Sequence, residues 1–103
     1  MAIKSFERVL NPGEISPYEI TWDAKWLGAG ETFKDQPTIE VVGNASALTI
    51  SDPQMSGLAT KCRITAGAST TVGDYVISFT VETTENNRYI EYRKLKVKKP
   101  DAG

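Results

Sequence analysis

From Asp74 to Thr84 the sequence alternates with period two. Tyr75, Ile77, Phe79 and Val81 fall on one parity, and Val76, Ser78, Thr80 and Glu82 on the other. Successive side chains of a strand point to opposite faces, so this pattern predicts an extended segment with one face in a core. A second alternation precedes it. Tyr18, Ile20, Trp22, Ala24 and Trp26 interleave with Glu19, Thr21, Asp23 and Lys25, which predicts a half-buried strand with both tryptophans on one face. No segment after Tyr18 sustains a helical period.

Shorter strands are predicted between these two: Thr38 to Val42 with Ile39 and Val41 inward, Ala47 to Ser51 with Leu48 and Ile50 inward, and Thr60 to Ala66 with Cys62 and Ile64 inward. Turn formers separate them: Leu27-Gly28-Ala29-Gly30-Glu31, Gly43-Asn44, Asp52-Pro53 opening a loop, and the Ser/Thr/Gly run 67–73. Glu85-Asn86-Asn87 predicts a hairpin turn into a last strand, Tyr89 to Lys98. Short strands at this spacing predict an all-β, immunoglobulin-like antiparallel sandwich of about seven strands. Its expected core holds Trp22, Ile50, Ile64, Tyr75, Ile77, Phe79 and Val81. Gly73-Asp74-Tyr75 stands where such a sandwich places a tyrosine corner, whose hydroxyl bonds to upstream backbone. Ile77 then takes the place of the second core cysteine of antibody domains.

The last strand has a phase conflict. Leu95 and Val97 want one face, while Ile90 and Tyr92 sit on the other parity. A β-bulge near Arg93-Lys94 would bring all four to the core. A straight strand would leave Ile90 and Tyr92 facing a partner.

Residues 1–17 read as an N-terminal arm, docked or mobile, before a sandwich at 18–99 and a tail at 100–103. Ile3, Phe6, Val9 and Leu10 are spaced for one helical face, but the segment is too short for a stable helix. Asn11-Pro12-Gly13 breaks it and Pro17 punctuates it again. The sandwich pattern is complete without these residues. The arm is therefore expected to be dispensable for folding, with its apolar side chains available to a partner. Ile3, Phe6, Val9, Leu10, Ile90 and Tyr92 are the candidate partner-binding residues.

The 103 residues suffice for one domain, and the net charge of -1 gives the whole chain no attraction to nucleic acid or membrane. Charge is uneven: from Arg88 onward six basic and two acidic residues give a local +4, leaving -5 for the remainder. Five of the seven residues Arg93 to Lys99 are basic. The alternation of Lys94, Lys96 and Lys98 with Leu95 and Val97 is that of a half-buried strand whose lysines guard an edge. An acidic protein partner and nucleic acid are the other readings of the same stretch. Cys62 is the only cysteine, so the sandwich is expected to lack the inter-sheet disulfide. With no signal-peptide run and no apolar stretch of membrane-spanning length, synthesis in a cytoplasm is expected.

Catalysis finds little support. There is no histidine, which removes the commonest general base and metal ligand, and no dinucleotide or phosphate loop is present. The carboxylates sit mostly at outward positions such as Glu19, Glu40 and Glu82, and no calcium loop exists. No enzyme activity, cofactor or metal is expected. Trp22 and Trp26 are either core residues or an aromatic platform for sugar.

Asn11-Pro12-Gly13-Glu14, Tyr18-Glu19-Ile20-Thr21-Trp22 and Trp26-Leu27-Gly28, followed by Gly30-Glu31-Thr32, form a pattern that resembles a family of small tailed-phage proteins, the fibre–tail adaptors. The likeness continues through Gly73-Asp74-Tyr75-Val76-Ile77 to Leu95-Lys96-Val97, spanning most of residues 11–98. In this chain Thr21 precedes the first tryptophan where members usually carry an acid, the tryptophans are one residue further apart, and Arg93 replaces a commonly apolar residue. The resemblance implies an immunoglobulin-like virion structural protein. It would sit in the tail and join fibre or tailspike to the tail body, at its adaptor or nozzle, through protein contacts. A module this small presents limited interface, so several copies in a ring are expected. A capsid decoration protein and a carbohydrate-binding module are the alternatives.

Overall fold

A computed structural model describes residues 3–43 and 48–99 of the chain. Met1, Ala2, the expected strand start at Ala47, Asn44 of the Gly43-Asn44 turn and the 100–103 tail lie outside the described residues. The chain is all-β: β1 Ile15–Thr21, β2 Thr38–Val42, β3 Leu48–Ser56, β4 Ala59–Ala66, β5 Gly73–Glu82 and β6 Arg88–Val97. They form two three-stranded antiparallel sheets, ordered β1-β4-β3 and β2-β5-β6. These orders match the B-E-D and C-F-G strands of the immunoglobulin arrangement.

Alternation builds the core. In β5, Ile77, Phe79 and Val81 are buried, and they meet Tyr18, Ile20, Ile64 and Cys62 of the other sheet in one cluster. Ile50 and Tyr75 are partly buried and pack against it. The Tyr75 hydroxyl donates to the Thr71 carbonyl at 2.6 Å, the upstream bond expected of a tyrosine corner. Asn86 turns the β5–β6 hairpin with φ of 65°, a conformation Asn tolerates better than most residues.

Four expectations need correction. The strand through the tryptophans ends at Thr21, and Ala24–Trp26 is a single 3₁₀ turn. Its cause is Asp23, whose carboxylate accepts from the Lys25 backbone N–H and caps the turn. Trp22 and Trp26 therefore do not share a strand face.

Pro17 does not precede the first strand but lies within it. Trp22 N–H donates to the Leu58 carbonyl, so the even residues of β1 bond to β4. The missing N–H of Pro17 would thus point away from the sheet, the one direction in which proline costs no ladder bond.

Asp52-Pro53 does not open a loop. β3 continues to Ser56 through a register shift between Ser51 and Gln54, with Asp52 at φ of 52°. This is a bulge, which one-dimensional turn signals cannot distinguish from a strand end.

The largest correction concerns the arm. It is built into the sandwich along β6. Lys94 N–H donates to the Lys4 carbonyl, and the Phe6 and Leu10 N–H groups donate to the Lys94 and Lys96 carbonyls. The pairing is parallel. Gly13, at φ of 92°, then swings the chain to the other sheet, where its N–H donates to the Ala66 carbonyl. Leu10 is fully buried in the core cluster. An arm that hands its backbone groups to both sheets and a leucine to the core belongs to the folded unit, which thus does not begin at Tyr18.

Candidate partner-binding surface

The six candidate residues divide between inside and outside. Leu10 is core, so its side chain is not available to a partner. Phe6 is half-buried: its ring lies 4.8 Å from that of Tyr18 and 5.9 Å from that of Phe79, centre to centre. Both contacts hold the arm down. The same packing withdraws Tyr18 from water and pushes its phenol up to about 12, and the hydroxyl donates to the Arg8 carbonyl.

Ile3, Val9, Ile90 and Tyr92 are exposed. Val9 lies with Ser5, Phe6, Asp74, Lys94 and Lys96 along a shallow groove of about 290 Å³ between arm and sheet.

Ile90 and Tyr92 resolve the phase conflict of the last strand. β5 and β6 pair without interruption from Gly73–Val97 to Glu82–Arg88. No bulge intervenes, so both side chains project from the outer face, 49% and 44% exposed. The inward positions between Tyr89 and Leu95 go to Glu91 and Arg93, opposite Phe79 and Ile77. Those two charges neutralise each other at 2.7 Å, and Arg93 also donates to the Tyr92 carbonyl. An ion pair substitutes for the apolar residues that the parity of this strand calls for. Sequence patterning could not see it, because Glu and Arg score as outward. The outer face of the sheet carries a further exposed apolar residue, Val42 on β2.

A second feature binds the glycine turn after Trp26 to the β5–β6 hairpin. The Glu31 carboxylate accepts from the Gly28 N–H at 2.7 Å, from the Thr83 hydroxyl, and from the Asn87 amide at 2.9 Å. These donors, the Gly28 N–H first, hold its pKa below the ordinary carboxylate range. Thr83 is fully buried and also accepts from the Glu85 and Asn87 N–H groups. Sequence reading placed Glu31 only in a turn; no local signal points to a partner so far along the chain.

The tryptophans lead into this turn. Trp22 is buried, and its indole N–H donates to Thr60 Oγ1 at 2.8 Å. Trp26 sits at the rim, 38% exposed, between Trp22 and Tyr89. The Tyr89 hydroxyl donates to the Trp26 carbonyl. The planes of Trp22 and Trp26 are inclined by 60°. The two indoles thus offer no common flat face on which a sugar ring would lie.

Among the described residues no three Cys, Asp or Glu side chains converge where they could hold a metal ion. No helix among them is long and apolar enough to cross a membrane. The surface is thus one of apolar patches, backbone edges and scattered charge.

A family model described as "Podophage GP4 fiber-tail adaptor protein gp77" matches residues 11–96. The match runs from the Asn-Pro-Gly turn that ends the arm to the last ladder positions of β6. No curated protein matches the chain.

Proposed function

The chain belongs to the podophage fiber-tail adaptor family, and from that membership we propose that it is a virion structural protein joining a receptor-binding fibre or tailspike to the tail body. The family match over residues 11–96 carries this reading. The exposed Ile3, Val9, Ile90 and Tyr92 support it by offering apolar surface that one sandwich does not need. They lie on the arm and on β6, which pair with each other, so they can serve one continuous interface. Leu10 and Phe6 act beneath that interface by fixing the arm. No catalytic step, metal or cofactor belongs to this role. The protein is synthesised in the host cytoplasm and incorporated into the tail.

A module this small presents limited area, whereas stable single contacts bury about 1,200–2,000 Å². Several copies arranged as a ring around the tail axis overcome this, because avidity makes modest contacts adequate. Cryo-electron microscopy of the virion tests the proposal. Density for the sandwich between tail body and fibre is expected. Copies spread over the capsid shell, or no copies in the particle, would overturn it.

A further inference from the structure

A sandwich with six strands has sheet edges that other chains could extend, and proteins usually obstruct such edges. Three are obstructed here by identifiable devices. Pro17 removes a donor from the free side of β1. The Asp52-Pro53 bulge distorts β3. The arm covers β6 from Lys94 onward. Two stretches keep open main-chain groups among the described residues: β2, Thr38–Val42, and the first half of β6, Arg88–Tyr92. They are opposite edges of one sheet.

These two edges fit each other. They have the same length. The arm bonds to Lys94, Lys96 and Lys98, so the even residues of β6 direct their backbone groups outward. By the alternation of an antiparallel ladder, the odd residues of β6 then bond to β5, the even residues of β5 bond to β2, and Ile39 and Val41 face the open edge of β2. A parallel ladder needs this parity: Ile90 can donate to the Ile39 carbonyl and accept from the Val41 N–H, with Glu40 opposite. Thr38, Glu40 and Val42 of one copy and Arg88, Ile90 and Tyr92 of the next then share the outer face. Val42 meets Tyr92, and Glu40 stands diagonal to Arg88, bringing opposite charges together. β2 and β6 run in the same direction within the sheet, since each is antiparallel to β5. Copies set edge to edge without inversion therefore pair in parallel, the sense in which the arm already pairs with β6.

We propose that the occupant of the open β6 edge is β2 of a second copy of this chain, so that neighbouring adaptors share one continuous sheet. The contact is head-to-tail and generates a ring when the rotation closes. It rests on the reading above that several copies assemble in the tail.

Disulfide trapping tests the pairing. Cys62 is buried, and burial pushes its thiol up to about 12, so introduced cysteines are the reactive ones. The full chain carrying both Thr38→Cys and Arg88→Cys, the opposed pair one step along the same ladder, is incorporated into tails and oxidised with copper phenanthroline. A ladder of dimers, trimers and higher species is expected, with at least a tenfold loss of that ladder in either single variant. Dimers from Arg88→Cys alone would show β6 paired with β6 and overturn the proposal. Normal incorporation of the double variant without cross-links would overturn it too, while leaving the adaptor reading intact. Absence of the wild-type chain from tails would remove the adaptor reading itself, and the pairing with it.

Discussion

Glu31 and Thr83 meet carboxylate to hydroxyl across 52 positions of sequence, and this contact fastens the glycine turn to the closing hairpin. The acidity of Glu31 is raised by its three donors, so its pKa lies lower in the folded chain than in the unfolded one. The linked stabilisation is present above the unfolded value of about 4.3 and is lost as pH falls through the folded value. Glu31→Gln keeps the shape and loses the charge. Its melting temperature is expected to fall at pH 7 by roughly 5 °C or more. That gap should narrow as pH falls through the folded value, below which the wild-type carboxyl is also neutral. A gap independent of pH would refute the assignment.

Leu10→Ala should destabilise the protein by about 2–5 kcal/mol, the range for a fully buried leucine that leaves a cavity. Urea unfolding measures it. Truncation before Asn11 should be worse, since it also exposes the β6 edge and the face of Phe79. A truncated chain with the wild-type midpoint would return the arm to the status of an appendage.

Thr60→Val tests the hub beneath the first tryptophan. Thr60 Oγ1 accepts from Trp22 Nε1 and donates to the Met55 sulfur. The isosteric valine leaves a buried indole N–H unsatisfied, which costs about 1–3 kcal/mol. The stability loss should come with a change in tryptophan emission, because the indole loses its partner. A neutral substitution would mean that the N–H finds another acceptor.

Ile90→Ser and Tyr92→Ser should separate assembly from folding. Both side chains are outside, so stability should change by no more than about 0.5 kcal/mol. Incorporation of the double variant into tails, measured by mass spectrometry against wild type, should fall at least tenfold. Wild-type incorporation would remove these two residues from the interface.

Most of the architecture was legible because alternation is a local signal that reports burial directly. β2 has the bounds that the pattern implies, and the tyrosine corner at Tyr75 follows from a turn placed before a strong strand. What patterning missed is non-local. Pro17 looks like a stop until its strand is known to be an edge with the missing N–H outward. Asp52-Pro53 looks like a loop because a bulge and a turn use the same residues. Leu10 looked superfluous because the sandwich pattern closes without it, and nothing in residues 3–10 announces a partner more than eighty positions away. Of the candidate surface, Ile90 and Tyr92 were recognisable by their wrong parity. The ion pair that lets them face outward depends on Glu91 and Arg93 lying side by side on a face where charges are unexpected.

The parallel pairing of the arm with β6 has a mechanical consequence. When the arm is drawn back toward its start and β6 forward beyond Lys98, the two slide along each other. The hydrogen bonds of Phe6, Leu10, Lys94 and Lys98 are then strained together rather than in turn. Resistance to force depends on the unfolding barrier and not on equilibrium stability alone, and bonds loaded in shear raise that barrier above what successive peeling would meet. A pull along this direction would load those bonds together, with Leu10 as the pin that must leave the core before the strands can slip.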